Sequence, residues 1–232
     1  MGKFIVIGAS KGIGKQIASD LLKENHQVIN FSRTASSLSG IENYTWDAES
    51  DSFEIFQEIQ GPIDGLVYCP GTILLKPFNR FTSKDFERDY KINVLSAIGV
   101  IQALLNSLKS SESSSIVLFS TVAVQTGMNF HASIASAKGA IEGLTKSLAA
   151  EFASSNIKVN AIAPSLTQTE LAAALTNTPE KIEIAAKRHP LNRIGQPEDI
   201  ANLACFLLNH QNQWITGQIL HIDGGLSSLK PL

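Results

Sequence analysis

Residues 1–232 read as one α/β domain, a doubly wound parallel sheet with helices on both faces, and three features say so. Short apolar runs rich in β-branched residues alternate with amphipathic stretches; a glycine-rich turn joins the first run to the first such stretch; no linker, repeat or composition shift marks a second domain. With 44% hydrophobic and 17% charged residues, a chain of this length can bury one large core.

"KFIVIG" (3–8) is the first strand, and the pattern over 12–24 is the helix that follows it. "QVINF" (27–31) is the second strand, a third lies just before Asp47, and 52–60 is expected to be helical. "IDGLVYC" (63–69) precedes a long helix over 83–109, and the polar connection "SSESSS" (110–115) leads into "SIVLFS" (115–120). A helix over 132–154, the strand "IKVNAIA" (157–163), a helix over 197–208 and the strand "QILHID" (218–223) complete the order. Pro197 opens that last helix, with Glu198 and Asp199 in its first turn. The strand runs are apolar at consecutive positions, as strands buried on both faces of a parallel sheet must be.

A formal charge of −2 gives no electrostatic reason to expect nucleic acid or an anionic membrane as partner, so a small-molecule substrate is expected. Cys69 and Cys205 are too few for a disulfide framework or a zinc site, and no metal is expected. Met1 runs into "KFIVIGAS" without a charged-then-apolar leader, and no stretch approaches about 18 apolar residues. The expectation is a cytoplasmic protein that does not span a membrane.

"GASKGIG" (8–14) sits where a strand turns into a helix, so Gly8, Gly12 and Gly14 can supply the turn, the close backbone approach and the helix packing that a pyrophosphate needs. Ser10, Lys11 and Ile13 complete this loop. Where a carboxylate would grip a ribose 2′-hydroxyl, the second strand instead ends in Ser32 and Arg33. A hydroxyl beside a guanidinium, with Lys11 as a second cation, suits a 2′-phosphate and predicts NADP(H) as cofactor. Asp47 is placed to meet the adenine edge or to cap a turn.

With these residues the chain resembles the short-chain dehydrogenase/reductase family over nearly its whole length. The resemblance implies a Rossmann-type fold, with Gly8, Gly12, Ile13 and Gly14 as the cofactor motif and Cys69-Pro70-Gly71 as an altered N-A-G motif. Asn93 and Lys138 match two members of the catalytic tetrad. Pro164-Ser165 stands where the family has P-G, and Thr169 matches the threonine on the nicotinamide amide. The tail "RIGQPEDIANLACFLLNHQNQWITGQILHIDGG" (193–225) is similar to the family's ending. Residues 165–192 occupy the place of its substrate lid, and Lys187, Arg188 and His189 there are candidates to meet an acyl-carrier or CoA phosphate, or form a solvated face. Family members pair the helices matching 83–109 and 132–154, which implies a homo-oligomer, a tetramer or dimer.

One departure governs the chemistry. The family's tyrosine, four places before the lysine, is Ile134 here, which has no transferable proton. Thirteen places earlier stands Thr121, the match to the substrate-binding serine, with Ser120 beside it as the alternative. Enoyl reductases of the family carry their tyrosine seven places before the lysine, and here that position is His131. 2,4-Dienoyl-CoA reductases also lack the usual tyrosine, and their segment is similar to "ASAKGAIEGLTKSLAAE". The expected substrate is therefore a partly apolar carbonyl or an activated C=C, whose enolate oxygen needs a hydrogen-bond donor. The alternative is a cofactor-binding pseudoenzyme or a non-catalytic partner subunit.

Overall fold

Seven strands lie side by side in the computed structural model, which describes residues 1–49 and 52–230: β1 (Lys3–Ile7), β2 (Gln27–Ser32), β3 (Glu42–Thr45), β4 (Gly65–Tyr68), β5 (Ser114–Phe119), β6 (Ile157–Pro164) and β7 (Ile219–Ile222). All pairings are parallel and the order is β3-β2-β1-β4-β5-β6-β7. The winding direction reverses between β1 and β4, so a crevice opens at their carboxyl ends, where ligands of such sheets bind.

Alternation along each strand divides the core in two. Ile5 and Ile7, with Leu66, Tyr68, Ile116 and Leu118, face one side. Phe4 and Val6, with Val67, Val117 and Phe119, face the other. Successive strand side chains point to opposite faces, and here both faces are covered, which is why the runs are apolar throughout.

The helices are α1 (Gly12–Lys23), α2 (Ser83–Tyr90), α3 (Ser96–Lys109), α4 (Val122–Thr126), α5 (Ala132–Phe152), α6 (Ala173–Thr176), α7 (Pro179–Ala186) and α8 (Pro197–Leu208). Helices α1 and α8 pack on the Phe4 side, and α3 and α5 on the Ile5 side. The long helix expected over 83–109 is interrupted by a π-helical segment, Lys91–Leu95, that carries Asn93. Thr82 and Asp85 form a reciprocal capping box that fixes where it starts. The run Ser83–Lys109 is long and apolar enough to cross a membrane by length and composition, contrary to the expectation that no stretch would be, but half of its most apolar window is buried. Ile101, Leu104 and Leu108 turn that apolar content onto the sheet.

The expected helix over 52–60 is corrected. Residues 52–60 form only a 3₁₀ turn, Glu54–Glu58, because Phe56 is drawn under Phe31 and Trp46, at ring distances of 4.5 and 5.2 Å, and Gly61-Pro62 ends the segment. Residues 165–192 hold α6 and α7; Thr178 caps α7 and Pro179 occupies its first turn, a start signal present in the sequence.

On α5, Ile141 and Phe152 are buried against the sheet, whereas Leu144 and Leu148 are half-buried. Leu95, 52% exposed, flanks α3. We expect a homo-oligomer built on these helices, dimeric or tetrameric by light scattering at micromolar concentration; a monomer there would refute it.

Candidate active site

The glycine loop is shaped by conformations only glycine adopts freely: Gly8 has φ +88° and Gly12 φ +53°. A Cβ on Gly14 would stand 2.4 Å from the Gly8 carbonyl oxygen, so α1 meets β1 closely only because that position carries hydrogen. Ser10 and Ile13 are half-buried in the same turn, and Lys11 is exposed. Beneath it, Asn30 Oδ1 accepts from Ala9 N at 2.9 Å, and Asn30 Nδ2 donates to Ser32 Oγ and Asn43 Oδ1, both at 2.8 Å. A fully satisfied buried amide of this kind holds the loop rigid.

Ser32 Oγ donates its own proton to Thr34 O at 2.7 Å and is buried. The hydroxyl thus belongs to the loop's support, while Arg33 is exposed. Asp47 Oδ1 accepts from Glu49 N at 3.0 Å, forming a turn.

Lys138, on α5, is 8% exposed and its Nζ has no hydrogen-bond partner among the described residues. Burial lowers its pKa from 10.5 to about 8. Cys69 would oppose this as a thiolate, but burial pushes that thiol up to about 12, so it stays neutral and is no nucleophile. Asp89 raises Lys138 slightly from within a buried cluster: its carboxylate accepts from Thr72 Oγ1 and Ser133 Oγ, each at 2.6 Å. Asn93 Nδ2 donates to Thr72 Oγ1 at 3.1 Å and to Asp89 O at 2.8 Å, leaving its buried Oδ1 without a partner among the described residues. A Cβ on Gly71 would lie 3.4 Å from that Oδ1 and 3.8 Å from Lys138 Nζ, so Gly71 keeps the space beside both groups open. The sequence offered no sign of the Asp89 cluster, whose members come from three separate elements.

A cavity of about 510 Å³ joins these parts. Ile13, Gly71, Thr121, Ile134, Lys138 and Thr169 all line it. Ser120 also borders it, but its Oγ donates to Glu142 at 2.6 Å, whereas Thr121 Oγ1 only accepts, from Ala123 N at 3.3 Å. Thr121 is therefore the hydroxyl with an uncommitted proton. Ile134 is 6% exposed and offers only carbon to the cavity.

His131 borders the cavity at the start of α5, and its Nδ1 lies 2.7 Å from Asn129 O. A carbonyl only accepts, so Nδ1 carries the hydrogen, and Nε2 of the neutral ring is an acceptor. With Nδ1 so engaged, His131 can donate to a substrate oxygen only as imidazolium.

Thr169, in the segment between β6 and α6, reaches the glycine loop, its Cγ2 3.3 Å from where a Gly12 Cβ would be, and with Pro164 it borders the same cleft. Lys187 is paired with Glu183 at 2.6 Å and Arg188 is exposed, but His189 is 5% exposed and does not belong to a charged surface. It bonds Ser165 instead, at 2.8 Å.

The unpartnered ammonium and amide oxygen, the open space at Gly71 and the helix N-terminus behind a glycine turn fit the ribose and pyrophosphate of a nicotinamide dinucleotide. Known proteins agree with that class. A family model described as enoyl-(acyl carrier protein) reductase matches residues 8–227, and the chain belongs to the short-chain dehydrogenase/reductase family. A tropinone reductase homolog of Arabidopsis thaliana is 31% identical over 241 residues, covering 96% of this chain and 91% of its own. L-xylulose reductase of Bos taurus is 30% identical, covering 95% and 94%. Among solved structures, a short chain dehydrogenase family protein from Francisella tularensis superposes with a TM-score of 0.91 at 30% identity, covering 99% of this chain and 100% of that one. ElxO with NADP bound does so with 0.88 at 30%, with the same coverage.

Proposed function

We propose that the chain is an NADP(H)-dependent oxidoreductase acting on a small, partly apolar carbonyl or an activated C=C such as an enoyl thioester. The observation that carries this reading is the single cavity in which the buried Lys138, the free hydroxyl of Thr121 and His131 face an otherwise largely apolar lining that includes Ile73, Met128 and Leu171. When bound, the nicotinamide would supply or accept a hydride. Lys138 holds its ribose, Asn93 steadies the lysine, and Thr121 donates a hydrogen bond to the substrate oxygen. His131, as imidazolium, adds a second donor to an oxygen becoming negative. Relatives named for reduction of L-xylulose and D-erythrulose support a polar carbonyl substrate, and the family model's description supports an enoyl one.

The second reading, a cofactor-binding pseudoenzyme, is favoured by Ile134, which places no transferable proton in the cavity. NADPH oxidation with L-xylulose, D-erythrulose, tropinone and crotonyl-CoA separates the two. Turnover of at least one probe is expected, with His131→Ala lowering it about tenfold at unchanged NADPH affinity. No turnover of any probe would instead establish the pseudoenzyme.

A further inference from the structure

The site as described has no hydroxyl hydrogen-bonded to an imidazole, and the fold places such a pair nearby. His189 Nδ1 lies 2.9 Å from Ala185 O, the carbonyl one turn earlier in the chain, and Nε2 lies 2.8 Å from Ser165 Oγ. Ala185 O can only accept, so Nδ1 carries the hydrogen, Nε2 of the neutral ring is a lone pair, and the Ser165 hydroxyl must donate to it. The geometry therefore fixes the tautomer. With its hydrogen committed, Ser165 Oγ turns only lone pairs elsewhere.

Both residues border the cavity that holds Lys138, Thr121 and Ile134. Both also border a second cavity, of about 530 Å³, whose lining includes Arg193, His221 and Asp223. The pair thus stands between a partly apolar substrate cleft and a polar space.

We propose that Ser165 and His189 form the acid–base pair for the substrate oxygen, Ser165 exchanging the proton with the substrate and His189 relaying it to the second cavity. In alcohol oxidation the substrate O–H bond breaks and its proton passes to Ser165 Oγ, while the Ser165 hydrogen passes to His189 Nε2. A bound oxidised nicotinamide would take the hydride from the carbinol carbon as the carbonyl forms. Imidazolium then loses its proton through the second cavity. Reduction runs the same transfers backwards from the imidazolium, so the carbonyl oxygen receives the Ser165 proton. Ser165 is the catalytic residue of the pair and His189 the positioning and relay residue.

This inference rests on the oxidoreductase reading above, and the test keeps the two apart. With a probe that the native protein turns over, Ser165→Ala and His189→Gln are each expected to lower kcat about tenfold or more, with KM and NADPH affinity changed less than about threefold. The double variant should be no worse than either single one, because the two residues act as a unit. Ser165→Thr, which keeps the hydroxyl, should retain most activity, and the solvent deuterium isotope effect on kcat should vanish in His189→Gln. In ¹⁵N NMR of the native protein, His189 should show a protonated Nδ1 and an Nε2 resonance that shifts in Ser165→Ala. In an Ile134→Tyr background the loss from Ser165→Ala should shrink to less than about twofold, since a phenol then supplies the proton. Native turnover unaffected by Ser165→Ala, or additive losses in the double variant, would overturn the relay and leave the oxidoreductase reading standing. No turnover by the native protein of any of the four probes would overturn both.

Discussion

Lys138→Met should abolish most turnover while making the folded protein more stable, and the two effects have one cause. The ammonium is buried without a hydrogen-bond partner among the described residues, so its pKa falls from 10.5 to about 8. Between those values the unfolded chain holds a proton that the folded chain has released, so stability rises with pH across that window and the penalty is fully present below it. At pH 7 the penalty is roughly 3 kcal/mol, and methionine, similar in length and uncharged, removes it. Urea denaturation should therefore show Lys138→Met to be stabler by about 2–3 kcal/mol near pH 7, with the difference fading as pH rises from about 8 to 10.5. If Lys138 binds the nicotinamide ribose, its charged form gains acceptors on binding and NADP(H) association takes up a proton. The NADPH dissociation constant of the native protein should then rise with pH above about 8, and that dependence should disappear in Lys138→Met, together with a loss of about 100-fold or more in turnover. A variant that is less stable and fully active would refute this account.

Arg33→Ala should erase a preference for NADPH over NADH. Among the described residues Arg33 has no ion pair and is exposed where β2 ends, and no carboxylate stands there to repel a 2′-phosphate. Ser32 does not share the task, because its proton goes to Thr34 O and its oxygen accepts from Asn30. Discrimination therefore falls on Arg33, with Lys11 on the loop after the adjacent strand β1. A charge-assisted contact of this kind is worth about 1.5–3 kcal/mol, so calorimetry should give native protein at least about tenfold tighter binding of NADPH than NADH. Arg33→Ala should bring the two within about threefold of each other, chiefly by weakening NADPH. Equal affinities in the native protein would refute the assignment, as would a preference that survives in Arg33→Ala.

The strands and the glycine turn were legible because their causes are local. An apolar run must be buried on both faces, and a glycine triplet after a strand allows a close turn whatever surrounds it. The spacing of Ile134 and Lys138 on one helix face likewise needs nothing beyond the chain between them. The 3₁₀ turn at Glu54–Glu58 was not legible, since what shortens it is the stacking of Phe56 under rings from β2 and the segment after β3. Nor could sequence choose between Ser120 and Thr121, because Glu142, a turn beyond Lys138 on α5, takes the Ser120 proton. Lys187, Arg188 and His189 look alike as a charged run, yet folding separates them: two remain at the surface and the third turns inward to Ser165, 24 residues away. Asp89 finds Ser133 across 44 residues. Local pattern thus determined the elements and the cofactor loop, whereas the protons around the substrate cavity were assigned only by contacts between distant segments, whose geometry exists once the sheet has brought them together.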